Sequence, residues 1–281
     1  MPRSFIVVIL LLLTSTVLAQ HTQRCGHQIS AQEKQLQQQF IPGYFGCNFI
    51  NKHERTLQIN AYIVLDSLGA PGFTEDQLNN ALVTLNDDFE PSGLQFTICK
   101  ITYIPNFQYN YFIDVEHEDQ MTVEYYEPNT INVYFCFSVT RNGGIVCGYA
   151  YFPGGKDFIV LQKGCITDDN HVWSHEMGHF FGLYHTFETD LGVELVNGSN
   201  CETAGDIVCD TPADPDPDGN ADQNMDCLYT GPTTQDSNGD WYIPPVNNIM
   251  SYYPDACVCK FTHQQYIRMI DQFLQFRNYL W

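Results

Sequence analysis

Positive charge is scarce in this sequence. Its 281 residues include 12 Lys and Arg against 33 Asp and Glu, and the formal net charge is −21 at pH 7. Proteins that bind nucleic acids rely on clusters of Lys and Arg, so this balance argues against a nucleic-acid partner. An acidic surface instead favours contacts with calcium and with basic peptides.

Long apolar runs are lacking after the first twenty residues. Residues 1–19 place Arg3 before an apolar run and end on Val17–Ala19, with the small-residue spacing that a signal peptidase recognises. The run from Phe5 to Leu13 is shorter than the roughly 18 apolar residues that a membrane span needs. We therefore expect a signal peptide at 1–19, a secreted, extracellular protein and no membrane span.

The remainder of the sequence contains neither an internal repeat nor a linker. About 260 residues suit one enzyme-sized unit with its own core. Residues 21–50 are rich in Gln and Gly with little periodicity, which indicates an extended or loosely packed segment. We assign 20–56 to a lead segment or short pro-segment and 57–281 to one main domain. The oligomeric state is not defined by the sequence, and a monomer is assumed.

Eleven cysteines in an exported chain predict disulfides, because that compartment is oxidising. The odd count leaves at least one thiol unpaired. Ten cysteines lie from Cys47 onward, whereas Cys25 lies alone near the mature N-terminus. Cys25 is therefore the natural candidate for the unpaired thiol. A disulfide between Cys25 and Cys47, with a thiol left elsewhere, is the alternative.

Residue periodicity predicts an α+β domain built on one twisted sheet. Apolar residues alternate from Leu57 to Leu65, as in a strand with one buried face. A capping box at Thr74–Gln77 then begins a helix that runs to Pro91 and backs the sheet. Segments rich in aromatic and β-branched residues predict four more strands: Leu94–Tyr103, Ile131–Val139, Val146–Phe152 and Phe158–Leu161.

The second half of the chain predicts two further helices. One spans Asp168–Leu183 and is opened by Asp168 and Asp169, which suit the positive end of the helix dipole. An irregular region rich in Asp, Pro, Gly and Asn follows from Thr186 to Asn247. A second capping box, Thr262–Gln265, begins an amphipathic helix that closes the chain.

The histidines of the first of these helices have the spacing of a zinc site. His175 and His179 are four residues apart, about 40° on a helix, so they project from one face and can share a metal ion. Glu176 lies about 100° round from His175, where a general base can activate water at the metal. His185 can join them only if the helix breaks, and Gly182 suits that break. Three imidazoles leave one coordination position open, as in a catalytic zinc site.

Several other interpretations of this segment stay open. The histidines can be exposed on a helix by chance, or the zinc site can have lost its activity. A gluzincin would take a glutamate such as Glu194 or Glu202 as its third ligand. A rival from another class is a secreted, disulfide-rich binding protein that keeps zinc only for structure.

The pattern from His175 to His185 resembles that of the metzincin peptidases, whose longer motif includes a downstream turn bearing methionine. Residues Asn248–Tyr252 look like this turn. The resemblance implies that Met250 forms a hydrophobic floor beneath the histidines and that Tyr252 stabilises the tetrahedral intermediate. The alternatives are ordinary core packing for Met250 and a packed tyrosine with a satisfied hydroxyl for Tyr252.

The resemblance narrows to the pappalysin family and its small, ulilysin-like members, from about Leu57 to the C-terminus. Three segments carry it: His185–Phe187, Gly205–Pro212 and Gly148–Pro153. It implies a metzincin catalytic domain at 57–281 and a zinc-dependent endopeptidase with Glu176 as general base. An extended peptide or protein substrate would pair with the strand near Gly148–Phe152.

The resemblance also implies a substrate pocket and a calcium site. Asp255 lies in the segment that forms the wall of the pocket just past the cleaved bond, so a preference for Arg or Lys follows unless Asp255 is a surface residue. The family binds calcium near the Gly205–Pro212 element, which places calcium ligands at Asp206, Asp210 or Thr211. The irregular region is rich in Asp, and carboxylates placed close together repel one another unless a cation lies between them. A solvated acidic loop is the alternative.

A third implication concerns latency. Arg24–Gly26 resembles the cysteine switch of metzincin zymogens, in which a thiolate from the lead segment occupies the open position on zinc. A thiolate binds zinc well and would displace the catalytic water. Cys25 is thus the candidate zymogen switch.

Overall fold

The computed structural model describes residues 23–25, 30–37, 55–168 and 170–281. The predicted signal peptide, Gly26, Cys47 and Asp169 lie outside these residues. None of the helices in the described part is long and apolar enough to cross a membrane.

The described residues form a mixed sheet in the order β3-β2-β5-β8-β7-β6-β4, with β1 paired to β7. Its strands are β1 (Gln23–Cys25), β2 (Arg55–Val64), β3 (Leu94–Ile104), β4 (Tyr111–Ile113), β5 (Ile131–Cys136), β6 (Ser138–Arg141), β7 (Gly144–Ala150) and β8 (Phe158–Gln162). Only the β6–β7 and β7–β8 pairs are antiparallel; the remaining pairs are parallel. The α+β prediction is therefore confirmed.

The helices divide between the two faces of this sheet. They are α1 (Ala31–Gln37), α2 (Glu75–Phe89), α3 (Asp114–Glu124), α4 (Val172–Phe180) and α5 (His263–Phe276). Alternation along β2 sends Ile59, Ala61 and Ile63 into the core beside α2, α4 and α5, and Tyr62 and Val64 into a second core beneath α3. The sheet is buried on both faces because alternate side chains of its central strands enter different cores.

Both capping boxes form as predicted. The Thr74 hydroxyl accepts from the Gln77 amide at the start of α2, and the Thr262 hydroxyl accepts from the Gln265 amide at the start of α5. The predicted strand at Ile131–Val139 is instead two strands, β5 and β6. The Asn110 side chain accepts from the Phe137 amide at 2.8 Å, and this bond interrupts the pairing between them.

Two elements between β3 and β5, the short strand β4 and helix α3, were not expected. Only Glu118 and Met121 of α3 are buried. A helix with so few buried positions shows almost no apolar periodicity in its sequence. Its position depends on contacts with β4 and β6, which the local sequence does not reveal.

The predicted start of the active-site helix at Asp168 was wrong. Helix α4 begins at Val172, after His171, and neither acidic residue stands in its first turn. The preceding segment is tied elsewhere: the Asn170 side chain donates to the Cys165 carbonyl, and Cys165 forms a disulfide with Cys147. These side-chain attachments outweigh the modest gain of an acidic residue near a helix N-terminus.

The lead segment is more ordered than expected where the structure describes it. Strand β1 pairs in parallel with β7, with Gln23 opposite Val146 and Cys25 opposite Gly148. Helix α1 follows and lies against the loop after β7. Strand pairing uses backbone groups alone, so a segment without side-chain periodicity can still join a sheet.

The region between α4 and α5 is irregular, as predicted. Its described strands, β9 (Ala221–Asp222) and β10 (Leu228–Tyr229), form a small antiparallel pair. Two disulfides, Cys201–Cys209 and Cys227–Cys257, cross-link it, and Asp and Asn side chains bond many of its backbone amides. These local bonds replace the regular ladders of helices and strands.

Candidate metal and catalytic centre

The three histidines converge at the C-terminal end of α4. One nitrogen from each of His175, His179 and His185, together with the Cys25 sulfur, lies within 4.8 Å of the others. The Nε2 atoms of His179 and His185 are 3.0 Å apart. The third histidine predicted from the sequence is thus beside the first two, and neither Glu194 nor Glu202 belongs to this group.

A helix break brings His185 to this position. Gly182 has φ +85°, and a Cβ atom added there would lie 2.8 Å from the Gln272 side chain. The Leu183 amide returns to the Gly178 carbonyl at 2.9 Å, and Arg268 Nε donates to the Gly182 carbonyl at 2.8 Å. Both the backbone conformation and the lack of space require glycine.

Backbone carbonyls orient two of the imidazoles. Nδ1 of His175 lies 2.6 Å from the Ile249 carbonyl oxygen, and Nδ1 of His179 lies 2.7 Å from the Leu183 carbonyl oxygen. A carbonyl oxygen only accepts, so each Nδ1 carries the proton and each Nε2 keeps its lone pair for a metal. Three nitrogens and one sulfur in this small space match the ligand types and number of a tetrahedral zinc site.

The predicted methionine turn lies directly beneath α4. A Cβ atom added at Gly178 would be 2.5 Å from Met250 Sδ, and Met250 is fully buried. The Thr186 amide donates to the Met250 carbonyl at 3.2 Å. The turn therefore supports the histidine cluster twice, through Met250 under the helix and through the Ile249 carbonyl on His175.

Tyr252 lies against the same cluster. Its ring centroid is 4.9 Å from that of His185 and 5.9 Å from that of His175. Its hydroxyl donates to the Cys25 carbonyl at 3.1 Å. The tyrosine thus contacts both the histidines and the lead segment.

Glu176 is completely buried between α4 and β7. The Cys25 thiol donates to its Oε2 at 3.5 Å, and a Cβ atom added at Gly148 of β7 would lie 3.0 Å from its Cγ. Burial raises the pKa of Glu176 to about 8, and the Cys25 thiol and the charge of Arg141 oppose this shift only in part. A carboxyl group whose proton affinity is raised in this way is suited to accept and release protons near neutral pH.

A small pocket of about 20 Å³ lies beside Glu176. Asp255, the predicted pocket residue, is one of its lining residues. The full lining is His171, Val172, His175, Glu176, Ile249, Ser251, Asp255 and Val258. The cavity therefore joins the candidate base to the acidic side chain.

Comparison with known proteins finds relatives in sequence and in fold. The family model described as pregnancy-associated plasma protein-A, of the M43 peptidases, matches residues 156–274. An extracellular metalloprotease of Sordaria macrospora is 29% identical over 246 residues, which cover 80% of this chain and 77% of that protein. An extracellular metalloprotease of Neurospora crassa is 28% identical over 246 residues, which cover 80% of this chain and 77% of that protein.

Solved structures match the fold over most of the chain. Mature mirolysin of Tannerella forsythia in complex with a cleaved peptide superposes with a TM-score of 0.58 at 18% identity, covering 82% of this chain and 96% of that one. A promirolysin variant covers 92% of this chain and 96% of that one, with a TM-score of 0.54 at 20% identity. The chain is therefore similar in sequence to pappalysin-family metalloproteases, and its fold resembles that of mirolysin.

Two of the three predicted calcium ligands are buried, and the third is exposed. Asp206 and Thr211 are buried side by side, but Asp210 is exposed and accepts from the Gln264 amide at 2.9 Å near the start of α5. Glu194 instead approaches Asp206. Within the described residues, Glu194 Oε2 and Asp206 Oδ2 are buried without a hydrogen-bond partner.

Two buried carboxylates in contact strongly disfavour a second negative charge. Burial raises the pKa of Glu194 to about 7, and burial together with the Glu194 charge raises that of Asp206 well above its ordinary value. A divalent cation with oxygen ligands would relieve this repulsion. The sequence suggested Glu194 only as an alternative zinc ligand. Its proximity to Asp206 depends on the path of an irregular loop, which the sequence pattern does not reveal.

The lead segment of this protein has a second anchor that the sequence pattern also encodes. Glu33, at the start of α1, is buried and accepts from the Phe152 amide at 2.8 Å and from the Ser30 amide at 2.7 Å. Ser30 also caps the Glu33 amide through its hydroxyl. This reciprocal Ser-x-x-Glu capping box was a visible sequence signal for a helix at this position.

Proposed function

We propose that this metalloprotease is a secreted endopeptidase that holds one catalytic zinc ion through His175, His179 and His185. The observation that carries the proposal is the convergence of three imidazoles beside a fully buried carboxylate, Glu176, at a cavity. A structural zinc site has no need of a buried carboxylate beside its ligands, whereas hydrolysis needs a base there.

Zinc, when bound, would polarise the scissile carbonyl and lower the pKa of a water molecule. Glu176 would accept a proton from that water and later pass it to the departing amine. The Tyr252 hydroxyl would donate to the oxygen on which negative charge develops. The backbone of β7 would pair with an extended peptide and hold its scissile bond over the histidines.

Secretion is part of the proposal. Residues 1–19 have the pattern of a signal peptide, the described residues contain three disulfides, and the relatives named above are extracellular. Residues 20–56 would form a pro-segment, and 57–281 the catalytic domain. Disulfides persist in an oxidising compartment, which agrees with this assignment.

The pro-segment would keep the enzyme latent through Cys25. The Cys25 sulfur lies among the four candidate ligand atoms, and β1 occupies the edge of β7 that we assign to the substrate. Glu33 holds the Phe152 amide just beyond this edge. The segment would therefore block both the metal position and the strand edge that binds the substrate backbone. The fold also resembles that of the promirolysin variant.

Two further assignments belong to the same proposal. Asp255 would favour Arg or Lys just past the cleaved bond, since it lines the cavity beside Glu176. Glu194, Asp206 and Thr211 would hold a structural calcium ion, in place of the set that included Asp210. Both assignments follow from where the carboxylates lie.

The central test compares wild type with Glu176→Gln after removal of residues 20–54, which leaves β2 whole. Both proteins are incubated with a diverse peptide library with and without a zinc chelator, and their zinc content is measured by mass spectrometry. Glu202→Gln, a change at an exposed glutamate, is the matched control. We expect chelator-sensitive cleavage by wild type and the control, and zinc without cleavage in Glu176→Gln. Cleavage by Glu176→Gln at the wild-type rate would contradict the assignment of the base.

A further inference from the structure

A buried carboxylate behind the candidate catalytic centre connects three segments of the chain. Asp214 Oδ2 accepts from the Thr186 hydroxyl at 2.7 Å and from the Ser251 hydroxyl at 3.0 Å. Its Oδ1 accepts from the Tyr253 hydroxyl and from the Asp216 amide, both at 3.0 Å. All three hydroxyl donors are buried, so these bonds lie away from water, where an unmade bond is costly.

These donors are immediate neighbours of the candidate catalytic residues. Thr186 follows His185, and Ser251 and Tyr253 stand on either side of Tyr252. Because both neighbours of Tyr252 turn their hydroxyls toward Asp214, the Tyr252 side chain projects the other way. Its ring contacts that of His185 at 4.9 Å between centroids. One carboxylate therefore orients both partners of this ring contact.

The loop that carries Asp214 is itself held in place. Asp216 accepts from the Asp218 and Asn220 amides, each at 3.0 Å. Gly219 lies so close to the Tyr252 backbone that an added Cβ atom would be 2.0 Å from the Tyr252 carbonyl oxygen. The loop thus supports the Tyr252 backbone directly, and its own bonds keep Asp214 from shifting away.

We propose that Asp214 is a positioning residue that sets the relative placement of His185 and Tyr252. It is not one of the clustered ligand residues, and it acts through the hydroxyls of Thr186, Ser251 and Tyr253. The expected effect on kcat rests on the proposed function, because it requires Tyr252 to act in hydrolysis. Its effect on metal affinity, through Thr186 and His185, is independent of turnover.

The test uses the protein with residues 20–54 removed, which leaves β2 whole, and compares Asp214→Asn, Tyr252→Phe and the double variant. An asparagine amide nitrogen donates and cannot accept, so in Asp214→Asn the hydrogen bonds at one side-chain position must reverse direction or be lost, and the negative charge that strengthens them is removed, while the side-chain shape is kept. Asp236→Asn is the matched control, since Asp236 is also buried but accepts from two amides of its own loop and from the Val196 amide, away from His185 and Tyr252. We measure kcat, KM, thermal unfolding and the zinc dissociation constant by chelator competition.

We expect Asp214→Asn to lower kcat roughly 10- to 100-fold with KM nearly unchanged, because a shift of about 1 Å in a catalytic group costs up to 10²-fold. In the Tyr252→Phe background the same change should cost less than about threefold, since residues that act as a unit are non-additive. Thr186→Val and Asp214→Asn should each weaken zinc binding about tenfold, as supporting side chains around metal ligands do. Asp236→Asn should change neither quantity.

The proposal is overturned if Asp214→Asn and Tyr252→Phe lower kcat additively, or if zinc binding by Asp214→Asn stays within about twofold of wild type. If Asp214→Asn does not fold, Thr186→Val and Tyr253→Phe remove single bonds and must show the same two effects. If wild type cleaves no peptide, the proposed function fails. The zinc dissociation constants then decide the inference on Asp214 by themselves.

Discussion

The break after α4 provides the sharpest test of how the fold builds the metal site. We predict that Gly182→Ala destabilises the protein and weakens zinc binding together. Gly182 has φ +85°, and an added Cβ atom would lie 2.8 Å from the Gln272 side chain. His185 follows three residues later, so any shift of this turn moves the third imidazole.

The expected size of the effect has two parts. A left-handed backbone costs a non-glycine residue roughly 1–2 kcal/mol, and overpacking a buried site costs roughly 1–3 kcal/mol more. The free energy of unfolding should therefore fall by about 2–5 kcal/mol. For a domain of this size, each 1 kcal/mol lowers the melting temperature by about 2–4 °C.

A control separates the two parts. Gly69 has φ +80°, close to that of Gly182, but an added Cβ atom there has no neighbour within 4 Å. Gly69→Ala should lower the free energy of unfolding only by the backbone contribution and should bind zinc as wild type does. Shortening the neighbour, in the double variant Gly182→Ala with Gln272→Ala, should recover some of the packing part.

Thermal unfolding in the metal-free and zinc-loaded states and chelator competition for zinc measure these quantities. The reasoning is refuted if Gly182→Ala loses no more stability than Gly69→Ala and keeps the wild-type zinc dissociation constant. It is also refuted if Gly182→Ala loses stability with unchanged zinc affinity, because the turn would then not determine the position of His185.

Three further predictions concern the lead segment, the pocket and the calcium site. In the full chain, Cys25→Ala should speed self-removal of the segment, followed on gels. Glu33→Ala should raise the reactivity of the Cys25 thiol toward a disulfide reagent, since it removes a charged hydrogen bond worth about 1.5–3 kcal/mol; an unchanged rate in either variant would contradict latency. Asp255→Ala should lower the preference for Arg over Leu past the cleaved bond about 10-fold or more, the loss expected for one charge-assisted bond, as kcat/KM ratios would reveal. Calcium at about 100 times its dissociation constant should stabilise wild type by about 2.7 kcal/mol, and Glu194→Ala should lose this gain in melting temperature while Asp236→Asn retains it.

Several features of the candidate site were predictable because they depend on short stretches of chain. The spacing of His175 and His179 places both on one face of any helix, and Gly182 marks the only conformation that lets His185 return. Both capping boxes likewise act within four residues. Where predictions failed locally, as at the start of α4, a distant partner such as the Cys147–Cys165 disulfide competed with helix propensity.

The sequence by itself predicted the class of fold and the clustering of His175, His179 and His185 beside Glu176, because helix and strand periodicity report which side chains share a face. Only the tertiary structure decided which carboxylates meet. It bonded Asp210 to the Gln264 amide and buried Glu194 close enough for its charge to raise the pKa of Asp206. It also placed Asp214 behind Tyr252. Irregular loops bring these groups together through hydrogen bonds between residues far apart in the chain. Local periodicity in the sequence does not predict such contacts.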